Sequence, residues 1–279
     1  MNNTSIKNLE KNGYIYRNFS LELNGAVSNA VNSWKNFCSL PEEKKLAFGY
    51  ERGEGMGVGY EMKKMTGHKT DLKEDFHFTL GKREWLSHQS STANSPLCAQ
   101  DLLSYSNTVV GLLAPFVLEI AQEIEREYGL RDFAKEVAES QDMWFVRYLH
   151  YFGDRKIGEE IATSHADKSG FTLHLYEDAP GLQMLSFKNN WEDVEVNSGS
   201  SFVIPGMRLQ YRSKNKLKAL FHRVVANDIT NENGRYSMVC FVHLNRTPQY
   251  DKNRAGRLQE FPPGFNYKLD FAEFSKLFK

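Results

Sequence analysis

The chain has 279 residues, which is enough for one large domain or two small ones. Lysine and arginine number 35, as do aspartate and glutamate, so the formal net charge is zero and no basic excess points to nucleic acid as a partner. The three cysteines, Cys38, Cys98 and Cys240, form no paired motif of the kind used for zinc or redox chemistry. We expect them to be reduced, structural thiols.

The N-terminal segment gives no targeting signal. Its first twenty residues lack the apolar run of a signal peptide and the arginine-rich character of a transit peptide. No stretch approaches about 18 uninterrupted apolar residues, the length that a membrane span requires. We therefore expect a cytoplasmic protein that does not bind a membrane.

The first half of the chain has mainly helical patterning. In residues 21–37 apolar side chains recur every three or four positions, which predicts an amphipathic helix. Pro41 suits the first turn of the next helix. The longest helical stripe occupies residues 101–129, with Gly129 as a candidate C-cap, and Pro115 is expected to kink or split that helix.

From Met143 the apolar pattern changes to a period of two. Short aromatic and β-branched runs, separated by Gly, Pro, Asn and Asp, predict strands in MWFVRYLHYF, GFTLHLYED, GLQMLSF, SSFVIPG, ALFHRVVAN and RYSMVCFVHLN. Because no helical pattern intervenes, these strands favour an antiparallel sandwich or barrel. The pair Asn233-Gly234 suggests a hairpin turn.

The histidines are the natural candidates for a metal site. Those in the polar first half have no acidic or cysteine partner at ligand spacing and are expected at the surface: His68, His77 and His88. Those inside strand runs are expected to be hydrogen-bonded wall residues: His150, His174 and His243. His165 and Asp167 differ, because side chains at i and i+2 share one face of a strand and can reach the same point.

An imidazole and a carboxylate are two of the three ligands in the two-histidine, one-carboxylate set that binds non-haem Fe(II). His-x-Asp is common by chance, so ordinary polar residues before a strand remain the alternative for the pair alone. His222, 57 residues later (222 − 165), is well placed as a third ligand. Arg235 and Ser237 also share a strand face, and an arginine buried beside a metal favours a bound carboxylate, whereas Arg235 in isolation would suit a surface position.

Taken together, these residues resemble the 2-oxoglutarate and Fe(II)-dependent dioxygenases of the isopenicillin N synthase-like group. The resemblance rests on His165-x-Asp167, His222 within HRVV, Arg235-x-Ser237 and the intervening GFTLHLYEDAPGLQML. SWKNFCSLPEEKKLAF, GVGYE and DLKEDFHF are similar to the N-terminal region of that group, and VRYLHYF to the strand that leads into its core. The similar segments fall between residues 10 and 250.

The resemblance implies a mainly β fold with N-terminal helices, in which a double-stranded β-helix (jelly roll) core is flanked by α-helices. We expect a single domain over 1–279, divided into a mainly helical region 1–140, a jelly-roll core with the metal site 141–250, and a C-terminal lid or packing segment 251–279.

The resemblance also implies a set of bound groups. Fe(II) would be held by His165, Asp167 and His222, with O2 as the oxidant. The cosubstrate 2-oxoglutarate would chelate the iron and place its distal carboxylate on Arg235 and Ser237, with Tyr151 nearby. Leu149 stands where many members have asparagine.

The activity implied is oxidation of a C–H bond of a small-molecule metabolite, with succinate and CO2 as co-products. Asp167 favours hydroxylation over halogenation, because halide would need the position that this carboxylate fills; desaturation and cyclisation stay open. One alternative is an Fe(II) oxidase that uses the same triad without 2-oxoglutarate. Another is a jelly roll that binds a metal or ligand without turnover.

Candidate substrate contacts come from several segments. Arg208 follows Pro205-Gly206, where the family usually has Gly-Asp. Leu185, Phe78 in DFHF and Phe265 in the C-terminal tail are further candidates, and the glycine-rich stretch 52–59 is either a linker or part of a pocket.

Overall fold

The computed structural model describes residues 3–51, 57–63, 72–92, 96–255 and 263–279. The strands are β1 (Ile15–Asn18), β2 (Gly59–Lys63), β3 (Lys73–Phe78), β4 (Phe145–Tyr151), β5 (Glu160–Ala166), β6 (Phe171–Glu177), β7 (Leu182–Leu185), β8 (Trp191–Asp193), β9 (Ser200–Pro205), β10 (Phe221–Val225) and β11 (Arg235–Val242). The α-helices are α1 (Asn8–Lys11), α2 (Leu21–Cys38), α3 (Glu42–Leu46), α4 (Arg83–Thr92), α5 (Leu97–Tyr128), α6 (Phe133–Glu139), α7 (Met207–Arg212), α8 (Asp228–Asn233), α9 (Lys252–Ala255), α10 (Phe265–Lys268) and α11 (Phe271–Ser275).

The described strands form two sheets that face each other. The large sheet has the order β1-β9-β6-β11-β4-β3-β2, the small sheet has the order β5-β10-β7-β8, and neighbouring strands in both run antiparallel. Apolar side chains from both sheets, such as Leu149 and Val239 on one side and Leu182 and Val224 on the other, pack between them. This is the predicted jelly-roll core with flanking helices.

The outer face of the large sheet is covered by α2 and α5. Ser20 caps α2, its hydroxyl accepting from the Leu23 amide at 3.1 Å, and Trp34 on the apolar face of the helix is fully buried against the sheet. Helix α5 runs unbroken through Pro115, so the expected split is wrong, and it ends at Gly129 with φ +66° as predicted. By length and composition α5 could cross a membrane, but its apolar face packs into this helix–sheet core.

Two other sequence expectations need correction. Asn233-Gly234 does not form a hairpin, because β10 and β11 belong to different sheets and the short helix α8 connects them; Gly234 provides the positive φ of +73°. The mainly helical first half also supplies β1, β2 and β3, which complete both edges of the large sheet. These strands have four to six residues, too few to show a clear period of two.

The described part of the C-terminal tail, residues 263–279, packs on the outer face of the small sheet. Phe265 and Phe274 join an apolar cluster with Phe221 of β10. The Tyr267 hydroxyl accepts from the Phe221 amide at 2.8 Å. The choice between a lid and a packing segment for this tail stays a prediction. Most of the glycine-rich stretch, 52–56, lies outside the described residues.

Candidate metal and anion site

Strands β5 and β10 place the three predicted ligands at one point. His165 and His222 are direct partners in the antiparallel pairing, so both side chains lie on the same face of the small sheet. Asp167 follows the end of β5. Its Oδ1 lies 3.6 Å from His165 Nε2 and its Oδ2 lies 3.9 Å from His222 Nε2, and one ligand atom from each residue fits within 4.8 Å.

Hydrogen bonds orient all three side chains. Nδ1 of His165 donates to the Thr163 carbonyl at 2.7 Å and Nδ1 of His222 to the Leu220 carbonyl at 3.2 Å, which leaves both Nε2 lone pairs facing Asp167. The Thr172 hydroxyl donates to Asp167 Oδ2 at 2.6 Å. Although burial opposes ionisation, the two imidazoles and this hydroxyl hold the pKa of Asp167 well below its usual range. Two neutral imidazoles and one carboxylate on one side of an ion are a donor set that fits Fe(II).

Beside the triad lies a chamber of about 80 Å³ that we call the anion chamber. Its lining includes the four residues that the family resemblance places near the cosubstrate: Leu149, Tyr151, Arg235 and Ser237. In the pairing of β11 with β4, Arg235 lies opposite Tyr151 and Ser237 opposite Leu149, so all four side chains face inward. Arg235 is 1% exposed, its Nε donates to the Ala179 carbonyl at 3.1 Å, and burial lowers its pKa to about 10, so the guanidinium stays charged at neutral pH.

The anion chamber already contains a carboxylate, which the sequence reasoning missed. Glu177, buried at the end of β6, forms an ion pair with the Arg235 guanidinium and accepts from His174 Nδ1 at 3.1 Å. His174 and Glu177 are three residues apart and would face opposite ways on a regular strand. The register of β6 on β11 slips between Tyr176 and His174, and this bulge turns both side chains inward.

A larger cavity of about 700 Å³, which we call the outer cavity, opens on the other side of the triad. His165 and Asp167 line both spaces, as does Arg147 of β4. Arg208, predicted as a substrate contact, lines the outer cavity from the first turn of α7. Aromatic side chains of Phe145 and Phe241 complete this part of the wall.

The other three candidate substrate residues lie elsewhere, which corrects that part of the prediction. Leu185 is one residue beyond the inward-facing Met184, so it packs on the outer face of the small sheet with Phe265. Phe78 faces the helices and is 1% exposed. Strand β3 is buried on both faces, so its sequence did not indicate which side chains would face the jelly roll.

The predicted positions of the other histidines are confirmed for some of these residues and wrong for others. His88 is exposed as expected, and His150 donates from Nδ1 to Glu74 Oε1 at 2.8 Å within the wall. The expectation that His77 lies at the surface is wrong, because the residue is only 3% exposed. Its Nε2 lies 2.7 Å from Asp75 Oδ1, and burial is the main reason that the pKa of His77 is lowered to about 4. His68 lies outside the described residues.

Comparison with known proteins agrees with this geometry. The family model described as the 2OG-Fe(II) oxygenase superfamily matches residues 141–244, the segment that holds both halves of the site. A crystal structure from Caulobacter crescentus, described as a 2OG-Fe(II) oxygenase family protein, is 25% identical and superimposes with a TM-score of 0.68 over 85% of this chain and 79% of that one.

Two further matches are more distant in sequence or in extent. A full-length Neurospora crassa protein, crystallised in complex with alpha-KG, is 20% identical with a TM-score of 0.71 over 96% of this chain and 86% of that one, a likeness of fold. "1-aminocyclopropane-1-carboxylate oxidase homolog 2" of Arabidopsis thaliana is 29% identical over 158 residues, which are 54% of this chain and 40% of that protein. The chain thus spans about two fifths of this curated relative.

Proposed function

We propose that the chain, whose residues 141–244 match the family model of the 2OG-Fe(II) oxygenase superfamily, is an Fe(II)- and 2-oxoglutarate-dependent oxygenase that hydroxylates a small molecule. One observation carries the proposal: His165 and Asp167 line both the anion chamber and the outer cavity. A metal on the triad would therefore face a cosubstrate on one side and a substrate C–H bond on the other.

The residues divide the work of binding. His165, Asp167 and His222 would hold the metal, and Arg235 with Ser237 would bind the distal carboxylate of 2-oxoglutarate, with Tyr151 beside it. When bound, Fe(II) supplies the redox chemistry: O2 gives one oxygen atom to the substrate C–H bond and the other to 2-oxoglutarate, which leaves as succinate and CO2. The protein positions the two organic molecules and limits the access of water.

The ion pair of Arg235 with Glu177 bears on cosubstrate binding. A carboxylate of 2-oxoglutarate at Arg235 has to compete with the carboxylate that is already there. Lys73, whose ammonium group lies 5.3 Å from the Tyr151 ring centroid, and Arg147 are further cations on the chamber wall. Cations on the chamber wall favour an anionic cosubstrate.

Anaerobic titration with Fe(II) and 2-oxoglutarate tests the proposal. We expect a weak visible charge-transfer band and binding of both components. Arg235→Gln should raise the 2-oxoglutarate concentration required while iron remains bound, and Arg223→Gln, which changes an arginine that pairs with Glu160 outside both cavities, should not. Failure of the protein to bind either component would refute the proposal, and loss of iron in Arg235→Gln would refute the assigned roles.

The second candidate is an Fe(II) oxidase that does not use 2-oxoglutarate. It is favoured by the pairing of Arg235 with Glu177, because that arginine already has an anion. The succinate released per product formed separates the two: one equivalent supports the oxygenase, and none supports the oxidase.

A further inference from the structure

The outer cavity contains buried polar atoms that lack hydrogen-bond partners among the described residues. They belong to both arginines of the wall, a histidine and a tyrosine: Arg147 Nε, Arg208 Nε, His243 Nε2 and the Tyr250 hydroxyl. An arginine Nε can only donate, and a tyrosine hydroxyl can donate as well. Buried polar groups are normally satisfied, so this wall lacks acceptors that a ligand could provide.

Neither guanidinium group has a carboxylate of the described residues in contact with it, and the charges of Asp75 and Glu136 act on Arg147 and Arg208 only from beyond ion-pair distance. Within the described part of the chain no carboxylate lies within ion-pair distance of Arg147 or Arg208, although Arg208 is 4% exposed. Other buried or half-buried arginines of the chain are paired: Arg17 with Glu123 at 2.6 Å, and Arg235 with Glu177. Burial of a charge that has no contacting counterion is costly, and an anion bound in contact with it lowers that cost.

Both guanidinium groups are held in place before any ligand arrives. The Arg147 guanidinium carbon lies 5.2 Å from the Phe145 ring centroid and 5.1 Å from that of Phe241. Arg208 donates from Nη2 to the Thr247 carbonyl. Fixed donors lose little conformational freedom on binding, which favours a specific contact over a loose one.

His243 lies beside these arginines as a neutral group. Burial, and then the charge of Arg208, lower the pKa of His243 to about 4, so its imidazole is uncharged at pH 7 and can donate from Nε2. Phe145, Phe241 and Tyr250 give the same cavity an apolar, aromatic surface. The wall thus combines two fixed cations with a surface suited to a carbon skeleton.

We propose that the outer cavity binds a small organic acid, whose carboxylate is held by Arg147 and Arg208 and whose apolar body carries the C–H bond presented to the metal site. The acid is the substrate class of the oxygenase proposed above, and this inference rests on that function. Arg147 lines both cavities, as His165 and Asp167 do, so it belongs to the wall that the two spaces share. The carboxylate fixes the orientation of the acid, and the body reaches past His165 and Asp167.

Binding of matched probes tests the inference without turnover. Protein loaded with Mn(II) and saturating 2-oxoglutarate is titrated with 3-phenylpropanoate and with 3-phenylpropanamide, together with aliphatic acid–amide pairs of the same length, by calorimetry and thermal shift. At least one carboxylate should bind about tenfold or more tightly than its amide, as expected for a charge-assisted contact. Arg147→Gln and Arg208→Gln should remove this preference, and Arg223→Gln should keep it.

The comparison of acid with amide on the unaltered protein decides the inference even if an arginine variant does not fold. Equal binding of acids and amides, or an acid preference that survives in both folded arginine variants, would overturn it. Aerobic succinate release then separates this inference from the proposed function. Succinate release stimulated equally by amides and acids refutes the acid class alone, whereas tight acid binding without succinate from any acid supports the site and refutes the oxygenase.

Discussion

The substitution Glu177→Gln tests how the anion chamber controls cosubstrate binding. Glu177 pairs with Arg235 at the position that a cosubstrate carboxylate is expected to take, and both side chains are buried. Glutamine keeps the length of the side chain and an oxygen that can accept from Arg235, but it removes the negative charge. We expect the variant to bind 2-oxoglutarate more tightly than the unaltered protein.

The size of the effect follows from electrostatics. Two carboxylates about 5 Å apart at one guanidinium repel each other by about 3 kcal/mol at an effective dielectric constant of about 20. Since 1.4 kcal/mol corresponds to a tenfold change, the dissociation constant should fall by about 10- to 100-fold. Without 2-oxoglutarate the buried Arg235 loses its anion, so the free energy of unfolding should fall by about 1–3 kcal/mol. The two effects have opposite signs, and a poorly folded variant could not produce both.

Calorimetric titration of the Mn(II)-loaded protein with 2-oxoglutarate measures the first effect, and chemical denaturation of the metal-free protein measures the second. Glu160→Gln is the matched control, because Glu160 accepts from Arg223 at 2.7 Å outside both cavities. The control should leave the affinity for 2-oxoglutarate unchanged. If Glu177→Gln binds 2-oxoglutarate equally or more weakly, Glu177 positions Arg235 for the cosubstrate instead of competing with it.

Two other substitutions test how the metal site is supported. Thr172→Val removes the 2.6 Å hydrogen bond to the Asp167 carboxylate and should weaken Fe(II) binding by about 10- to 100-fold in a metal titration. Thr172→Ser keeps the hydroxyl and should bind Fe(II) as tightly as the unaltered protein. Equal Fe(II) affinities of the valine and serine variants would mean that the hydroxyl does not orient the carboxylate. Gly206→Ala would place a Cβ 2.3 Å from the Ser169 carbonyl oxygen and should lower the free energy of unfolding measured by chemical denaturation. Gly25→Ala, on open helix surface, should raise the free energy of unfolding by up to about 1 kcal/mol. An unchanged free energy of unfolding in Gly206→Ala would show that the backbone can relax there.

The sequence indicated that the three candidate metal ligands would come together because the pattern around each of them is local. His165 and Asp167 are two apart at the end of a strand, and β10 follows with a clear alternating pattern, so face and register come from the period of two. Six of the eight strands from β4 onward were recognisable for the same reason, whereas β5 and β8 were not among the predicted runs. Their arrangement in two facing sheets came from the family resemblance, since alternation alone does not assign a strand to a sheet.

Residues whose direction depends on neighbouring strands could not be predicted in this way. Glu177 faces the anion chamber only because β6 bulges against β11, and such a bulge is set by the partner's register. His77 and Phe78 are both buried, on opposite faces of β3, because helices cover one face and the jelly roll the other. A chemical signal was available in one case: a histidine and a glutamate within one strand run, GFTLHLYED, are unusual in a buried strand unless they bind something.

The departure from the family pattern at Pro205-Gly206 links the metal site to the outer cavity. Gly206 approaches the Ser169 carbonyl so closely that a side chain would not fit there. The backbone then turns into α7, where the Met207 amide donates to the Asp167 carbonyl at 2.7 Å and the Arg208 amide to the Ser169 carbonyl at 3.1 Å. The segment that carries the ligand carboxylate is thereby fixed to the helix that carries Arg208. Because the same hydrogen bonds hold both, the backbone fixes the proposed metal site relative to the helix that carries the cation proposed to orient the substrate. A change at position 206 should therefore disturb metal and acid binding together.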